Sequence, residues 1–137
     1  MRSAPRHLEL SLLPERYAIS QLAAGAPLPE WATQGPFFSV TRTGEELSVV
    51  TEVSRVPPGV HSQSGWRVLK VHGPFVLSEV GVLSSLAAPL AQAKVSLFAV
   101  STFNTDYLLV SAEQLRSAIS ALEKAGHKVL TAESTSG

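Results

Sequence analysis

Cysteine is absent from the 137-residue chain. Its absence excludes disulfides, thiolate nucleophiles and cysteine-based metal sites, and it suits a reducing, cytoplasmic setting. Charge is scarce too. Asp, Glu, Lys and Arg together make up 16% of the residues, the formal net charge is zero, and the 11 Lys and Arg form no run. A nucleic-acid partner needs a concentrated positive face to displace counterions, so none is expected. Long hydrophobic runs are also missing: Leu8 to Leu13 is too short and too interrupted for a signal peptide or a membrane span, and no membrane partner is expected.

Motifs of chemistry are equally thin. There is no Gly-Lys-Ser/Thr phosphate loop and no Gly-x-Ser-x-Gly elbow. The histidines, His7, His61, His72 and His127, share no helical spacing with one another, and none shares it with a carboxylate inside a predicted helix, so they read as packing or solvated side chains rather than metal ligands. The expectation is a protein without metal, cofactor or catalytic residues.

What is present is a globular composition, with 45% apolar residues, enough to bury one ordinary core or two small ones. Low charge on such a chain leaves an adhesive surface, which favours self-association.

The second half reads as β-α-β-β-α-β, the split βαβ ferredoxin-like order. Trp66 to Val71 is a strand closed by Gly73-Pro74. Ser78 caps a helix whose apolar stripe is Leu83, Leu86, Ala87 and Leu90. Pro89, which lacks an amide and crowds the preceding turn, predicts a kink or an early end there. Residues 95–103 and Tyr107 to Val110 form two strands about a turn at Asn104-Thr105-Asp106. Ser111 and Gln114 stand at capping-box spacing before Leu115, Ala118, Ile119 and Leu122, and Gly126 suits the C′ position before a last strand at Val129-Leu130.

The first half carries a partial copy. Residues 37–50 align without a gap on residues 97–110 at an offset of 60, with Phe38 on Phe98, Val40 on Val100, Glu46 on Asp106 and Val50 on Val110. Leu8 to Leu22 precedes this hairpin as an extended stretch, and Val60 to Val71 follows as a shared or closing strand. The helical positions are weak, with one or two turns at residues 26–32 and a Pro-Pro-Gly break at 57–59. The expected fold class is therefore α+β: two tandem ferredoxin-like modules, a degenerate one at 1–63 and a complete one at 64–137. In the second hairpin, Phe98, Val100, Leu108 and Val110 are expected on one face, and Leu97, Ala99, Tyr107 and Leu109 on the other. Both faces are apolar, so one must meet another module or chain, and a homodimer is expected.

Two segments suit a ligand. At Leu77 to Val82 a strand passes into a helix N-terminus, whose free amides attract an anion, and Gly81 permits close approach. At Ser101 to Asp106, Asp106 offers a carboxylate to an ammonium group, and Thr102 and Asn104 can orient the rest. Ordinary cap and turn chemistry accounts for the same residues.

Residues 78–110, with Gly-x-Leu, Ala-Pro-Leu-Ala and Ser-Thr-Phe-x-Thr-Asp-Tyr, resemble the second module of the tandem-ACT family. This family includes small bacterial proteins, the cytosolic arginine sensors of the CASTOR type and, more remotely, the regulatory tails of aspartokinases. The resemblance is strongest over residues 66–131, and Phe37 to Thr43 and Glu46 to Val50 resemble the degenerate first module. It implies a non-catalytic sensor of a small molecule, an amino acid, bound at an ACT–ACT interface. Carried over by motif, the ligand-binding set is Glu79, Gly81 and Val82 with Thr102, Phe103 and Asp106. The arginine sensors hold two tandem pairs in one chain, and this sequence holds one, so a homodimer would restore four modules. The competing reading is a structural or interaction subunit that uses ACT surfaces for dimerisation or for regulating an enzyme partner.

Overall fold

In the computed structural model the described residues are 7–73 and 81–131. Along them run β1 (Glu9–Leu12), β2 (Tyr17–Leu22), β3 (Ser39–Arg42), β4 (Leu47–Glu52), β5 (Ser62–Val71), α1 (Val82–Gln92), β6 (Phe98–Ser101), β7 (Asp106–Ser111), α2 (Leu115–Lys124) and β8 (Lys128–Leu130). Single 3-10 turns stand at Glu30–Thr33, Val53–Arg55 and Ala112–Gln114. The chain divides into two compact units, Glu15–Trp66 and a second made of Met1–Pro14 with Arg67–Gly137.

The unit at 15–66 is a ferredoxin-like module whose helices have shrunk to the 3-10 turns at 30–33 and 53–55. Its strands stand in the order β3-β4-β2-β5, and every pairing is antiparallel. Proline spacing explains the missing helices: Pro27, Pro29 and Pro57-Pro58 deny the amides a longer helix needs. Leu47, Val49 and Ala32 make its small core, and Trp31 and Val40 pack against them. Tyr17 meets Phe37 edge-on, with ring centroids 5.7 Å apart, a favourable aromatic geometry.

The other unit follows the expected order β5-α1-β6-β7-α2-β8, with one addition. β1 pairs antiparallel with β5 and parallel with β8, so the strands read β8-β1-β5-β7-β6. A ferredoxin-like sheet would set the first and fourth strands side by side, whereas here the N-terminal strand is wedged between them. The sequence reading placed this strand in a module ending at residue 63; the structure joins it to the unit that begins at Arg67. Its side chains give the physical reason. Leu8 and Leu10 belong to the core with Leu69, Val71, Leu86, Leu90, Leu108 and Leu122. β5, at ten residues, is long enough to serve both units in turn, as the shared strand expected over 60–71.

Both helices sit at their predicted places, with two corrections. α1 runs through Pro89 to Gln92 instead of ending early. The carbonyl that Pro89 leaves without a donor, Ser85 O, lies 2.9 Å from Nε2 of His127. Leu83, expected on the buried stripe, is exposed, while Leu86 and Leu90 are fully buried. Ser111 caps as predicted, its Oγ accepting from Gln114 N at 3.2 Å, over a 3-10 turn that leads into α2. The Gln114 side chain does not close a capping box but spans the α1–β6 connection, donating to Lys94 O and accepting from Ser96 N. Gly126 ends α2 in the left-handed region, φ 98°. A Cβ there would stand 2.7 Å from the His7 ring.

The hairpins do repeat, but one residue out of the expected alignment. Thr43 N donates to Glu46 O at 2.9 Å, and Thr102 N donates to Thr105 O at 2.8 Å. In each turn the threonine Oγ1 also accepts from the amide three residues on, Glu46 N at 3.1 Å and Thr105 N at 3.3 Å. Equivalent turns therefore begin at Thr43 and Thr102, 59 residues apart, not 60. The turn thus spans 102–105 rather than 104–106. Side chains alternate with period two, so one residue inverts the predicted faces. Phe98 pairs with Leu109 and Ala99 with Leu108. Leu97, Leu108 and Val110 turn to the helices, with Ala99 opposite Leu108, and Phe98, Val100, Tyr107 and Leu109 occupy the other face.

Candidate functional site

Thr105 decides where the β6–β7 turn sits. Its buried Oγ1 donates to Val71 O at 2.7 Å, which ties the turn to the last residue of β5. From there the chain passes through residues 74–80 to Gly81. Thus the β6–β7 turn meets the sheet at the end of β5 from which the chain continues toward α1.

Gly81 is the N-cap of α1, with φ 90° and ψ −3°. That conformation favours glycine, and glycine has no side chain with which to cap. Its carbonyl accepts from Ser85 N at 3.0 Å and from Ser84 Oγ at 3.3 Å. Val82 opens the helix and is buried in the core shared with Val71 and Leu108. Ser78 and Glu79 lie outside the described residues.

Asp106 begins β7 directly opposite Ser101. By strand alternation it lies on the face of Leu108, the face that carries the helices. Ser101 Oγ donates to Asp106 Oδ1, and the second carboxylate oxygen keeps its acceptor sites open among the described residues. Thr102 is engaged within the turn, Oγ1 donating to Thr105 O at 3.1 Å. Phe103, at the tip, is 79% exposed. The end of the sheet thus offers an open carboxylate, a bare phenyl ring and a helix start capped only by glycine.

Sequence reasoning did not give the roles of four residues at the same strand end, Thr105, Ser11, His72 and Glu9. Thr105 is one, and its signal was the Thr-x-x-Thr spacing. Ser11 Oγ lies 2.5 Å from His72 Nε2, and His72 Nδ1 lies 3.5 Å from Glu9 Oε1. No spacing in the sequence announces that pair, because β1 reaches β5 across about sixty residues of chain. Among the described residues no group of three or more His, Asp or Glu could hold a metal ion, and no helix is long and apolar enough to cross a membrane.

The chain is similar in sequence and fold to known proteins. A family model described as an ACT domain matches residues 61–124, and a model of an N-terminal domain matches residues 15–59. The mouse protein named cytosolic arginine sensor for mTORC1 subunit 1 is 31% identical over 112 residues, covering 76% of this chain and 33% of that protein. The chain therefore spans about a third of the length of the curated relatives it matches. A solved protein of Agobacterium tumefaciens is 38% identical, with a TM-score of 0.87 over 92% of this chain and 94% of the other. The regulatory subunit of aspartate kinase from Thermus thermophilus shares the fold at 11% identity, with a TM-score of 0.60 over 85% of this chain and 95% of that one.

Proposed function

Because the chain belongs to the ACT-domain family, its second half carrying the ACT domain itself, we propose that it is a non-catalytic regulatory module that binds an amino acid. Two opposite poles, the first turn of α1 and the Asp106 carboxylate, support this reading. The first turn of α1 offers amides to a carboxylate, and Asp106, with one oxygen open, offers a partner to an ammonium group. A free amino acid carries both charges on one carbon. Glu79, Gly81 and Val82 would line the first pole, with Thr102, Phe103 and Asp106 at the second. The mouse relative is named as an arginine sensor, which makes a cationic amino acid the first candidate.

The site would be completed between modules of two copies, so the working form is a homodimer in the cytoplasm. A thermal-shift screen against the free amino acids tests the reading. A ligand present at 100 times its dissociation constant stabilises the folded state by about 2.7 kcal/mol. Stabilisation by one amino acid or a small set is the expected result; no response to any of them would remove the sensor function.

One observation favours a second reading. The Thr102 hydroxyl both donates and accepts within the turn, and Ser101 already holds Asp106. Those bonds suit a structural subunit that regulates an enzyme partner through its surfaces without a ligand.

A further inference from the structure

Away from this site, α2 and the C-terminal end of α1 border an open surface groove of about 670 Å³. That volume lies in the range of small-molecule sites, roughly 300–1,000 Å³. Arg116, Ser120 and Lys124 stand along one row of α2 at i, i+4 and i+8, so the hydroxyl lies between two cations. Ser117 and Gln92 add further donors from the two walls. None of these five side chains has a hydrogen bond or ion pair among the described residues. Among the described residues no carboxylate lines the groove, although the chain as a whole has no net charge. Pro89, Ala93 and Ala121 supply apolar surface beside the row.

We propose that this groove binds a phosphorylated small molecule of about nucleotide size, with its phosphoryl group over Ser120. Two positive charges with no carboxylate between them select an anion. The guanidinium fork, the ammonium and two hydroxyls offer more donors than the two oxygens of a carboxylate can use, and a phosphoryl group has three terminal oxygens to receive them. The small apolar residues accept the flat face of a ring, which inorganic phosphate lacks. All the groove residues lie between 89 and 125, so this site does not depend on the amino-acid site and is tested separately.

The test is an amide NMR titration of the full chain with AMP, inorganic phosphate and adenosine. Saturable shifts centred on Ser117, Ser120 and Lys124 are expected with AMP, the same set more weakly with phosphate, and none with adenosine. The Arg116→Gln/Lys124→Gln variant should melt as the parent does and bind AMP at least about tenfold more weakly. Absence of saturable shifts with both AMP and phosphate at millimolar concentration would overturn the proposal. So would adenosine binding as well as AMP, or unchanged affinity in the variant.

Discussion

Pro89 withholds the amide that Ser85 O would receive in an unbroken helix, and His127 supplies the replacement, its Nε2–H donating to Ser85 O at 2.9 Å. The opposite ring nitrogen, Nδ1, accepts from Leu8 N at 3.1 Å. A backbone amide can only donate and a carbonyl only accept, so the pair fixes a neutral ring with its proton on Nε2. One buried side chain thus holds α1, the start of β1 and the turn after α2 together.

Replacing His127 with Phe should keep the volume and leave Leu8 N and Ser85 O without partners. Each orphaned group costs about 1–3 kcal/mol, so chemical denaturation should register a loss of about 2–6 kcal/mol. In a Pro89→Ala background the helix regains its own donor to Ser85 O. The cost of His127→Phe should then be smaller by about 1 kcal/mol. Equal costs in both backgrounds would deny the coupling.

β1 supplies a second prediction. Removing residues 1–14 takes away a strand that pairs on both sides and strips fully buried Leu10 from the core. β8 would lose its pairing partner. Hydrogen exchange should show β8 amides unprotected and the core at α1 and α2 loosened. The milder Leu10→Ala should cost about 2–5 kcal/mol. A truncated chain with native protection across β8 would contradict the wedged strand.

The element order of the second unit was legible because its signals are local: Ser111, Gly126 and the apolar stripes of two helices need only their neighbours. Three features were not, for physical reasons. The place of β1 depends on pairing across some sixty residues, which periodicity does not encode. The hairpin register depends on which threonine closes the turn, and the repeat aligned almost as well one residue away. Pro89 looked like a helix end because its compensating donor, His127, lies 38 residues further along the chain. The site was half legible. Asp106 stands on the helix-bearing face at the strand end, but its tether to Ser101 and the anchoring of the turn by Thr105 required the fold.

Register also decides how self-association is tested. Leu109, which the sequence places on one of the two apolar faces of the hairpin, is 0% exposed within the single chain. Leu109→Glu should therefore unfold the protein, because an unpaired charge in a core costs several kcal/mol. Val100, half-buried on the same face of β6, which among the described residues pairs only with β7, is the useful position. Val100→Lys should retain the circular dichroism of the parent and shift light scattering from dimer to monomer. A parent protein that scatters as a monomer at all concentrations would remove the dimer.

The last prediction separates the sensor from the structural reading at Asp106 and Thr102. Asp106→Asn keeps an acceptor oxygen for Ser101 Oγ and removes the charge. Without ligand, the melting temperature should hardly move. A hydrogen bond to a charged group contributes about 1.5–3 kcal/mol, so affinity for the amino acid found by the screen should fall about tenfold to a hundredfold. Thr102→Ala should behave in the opposite way. It deletes the side-chain bonds that close the turn, so stability should fall by about 1 kcal/mol with affinity little changed. Calorimetry and thermal melting on both variants distinguish the roles. If Asp106→Asn destabilises as Thr102→Ala does and leaves affinity intact, Asp106 belongs to the turn. If affinity alone falls, its open carboxylate oxygen is the pole that receives the ammonium group.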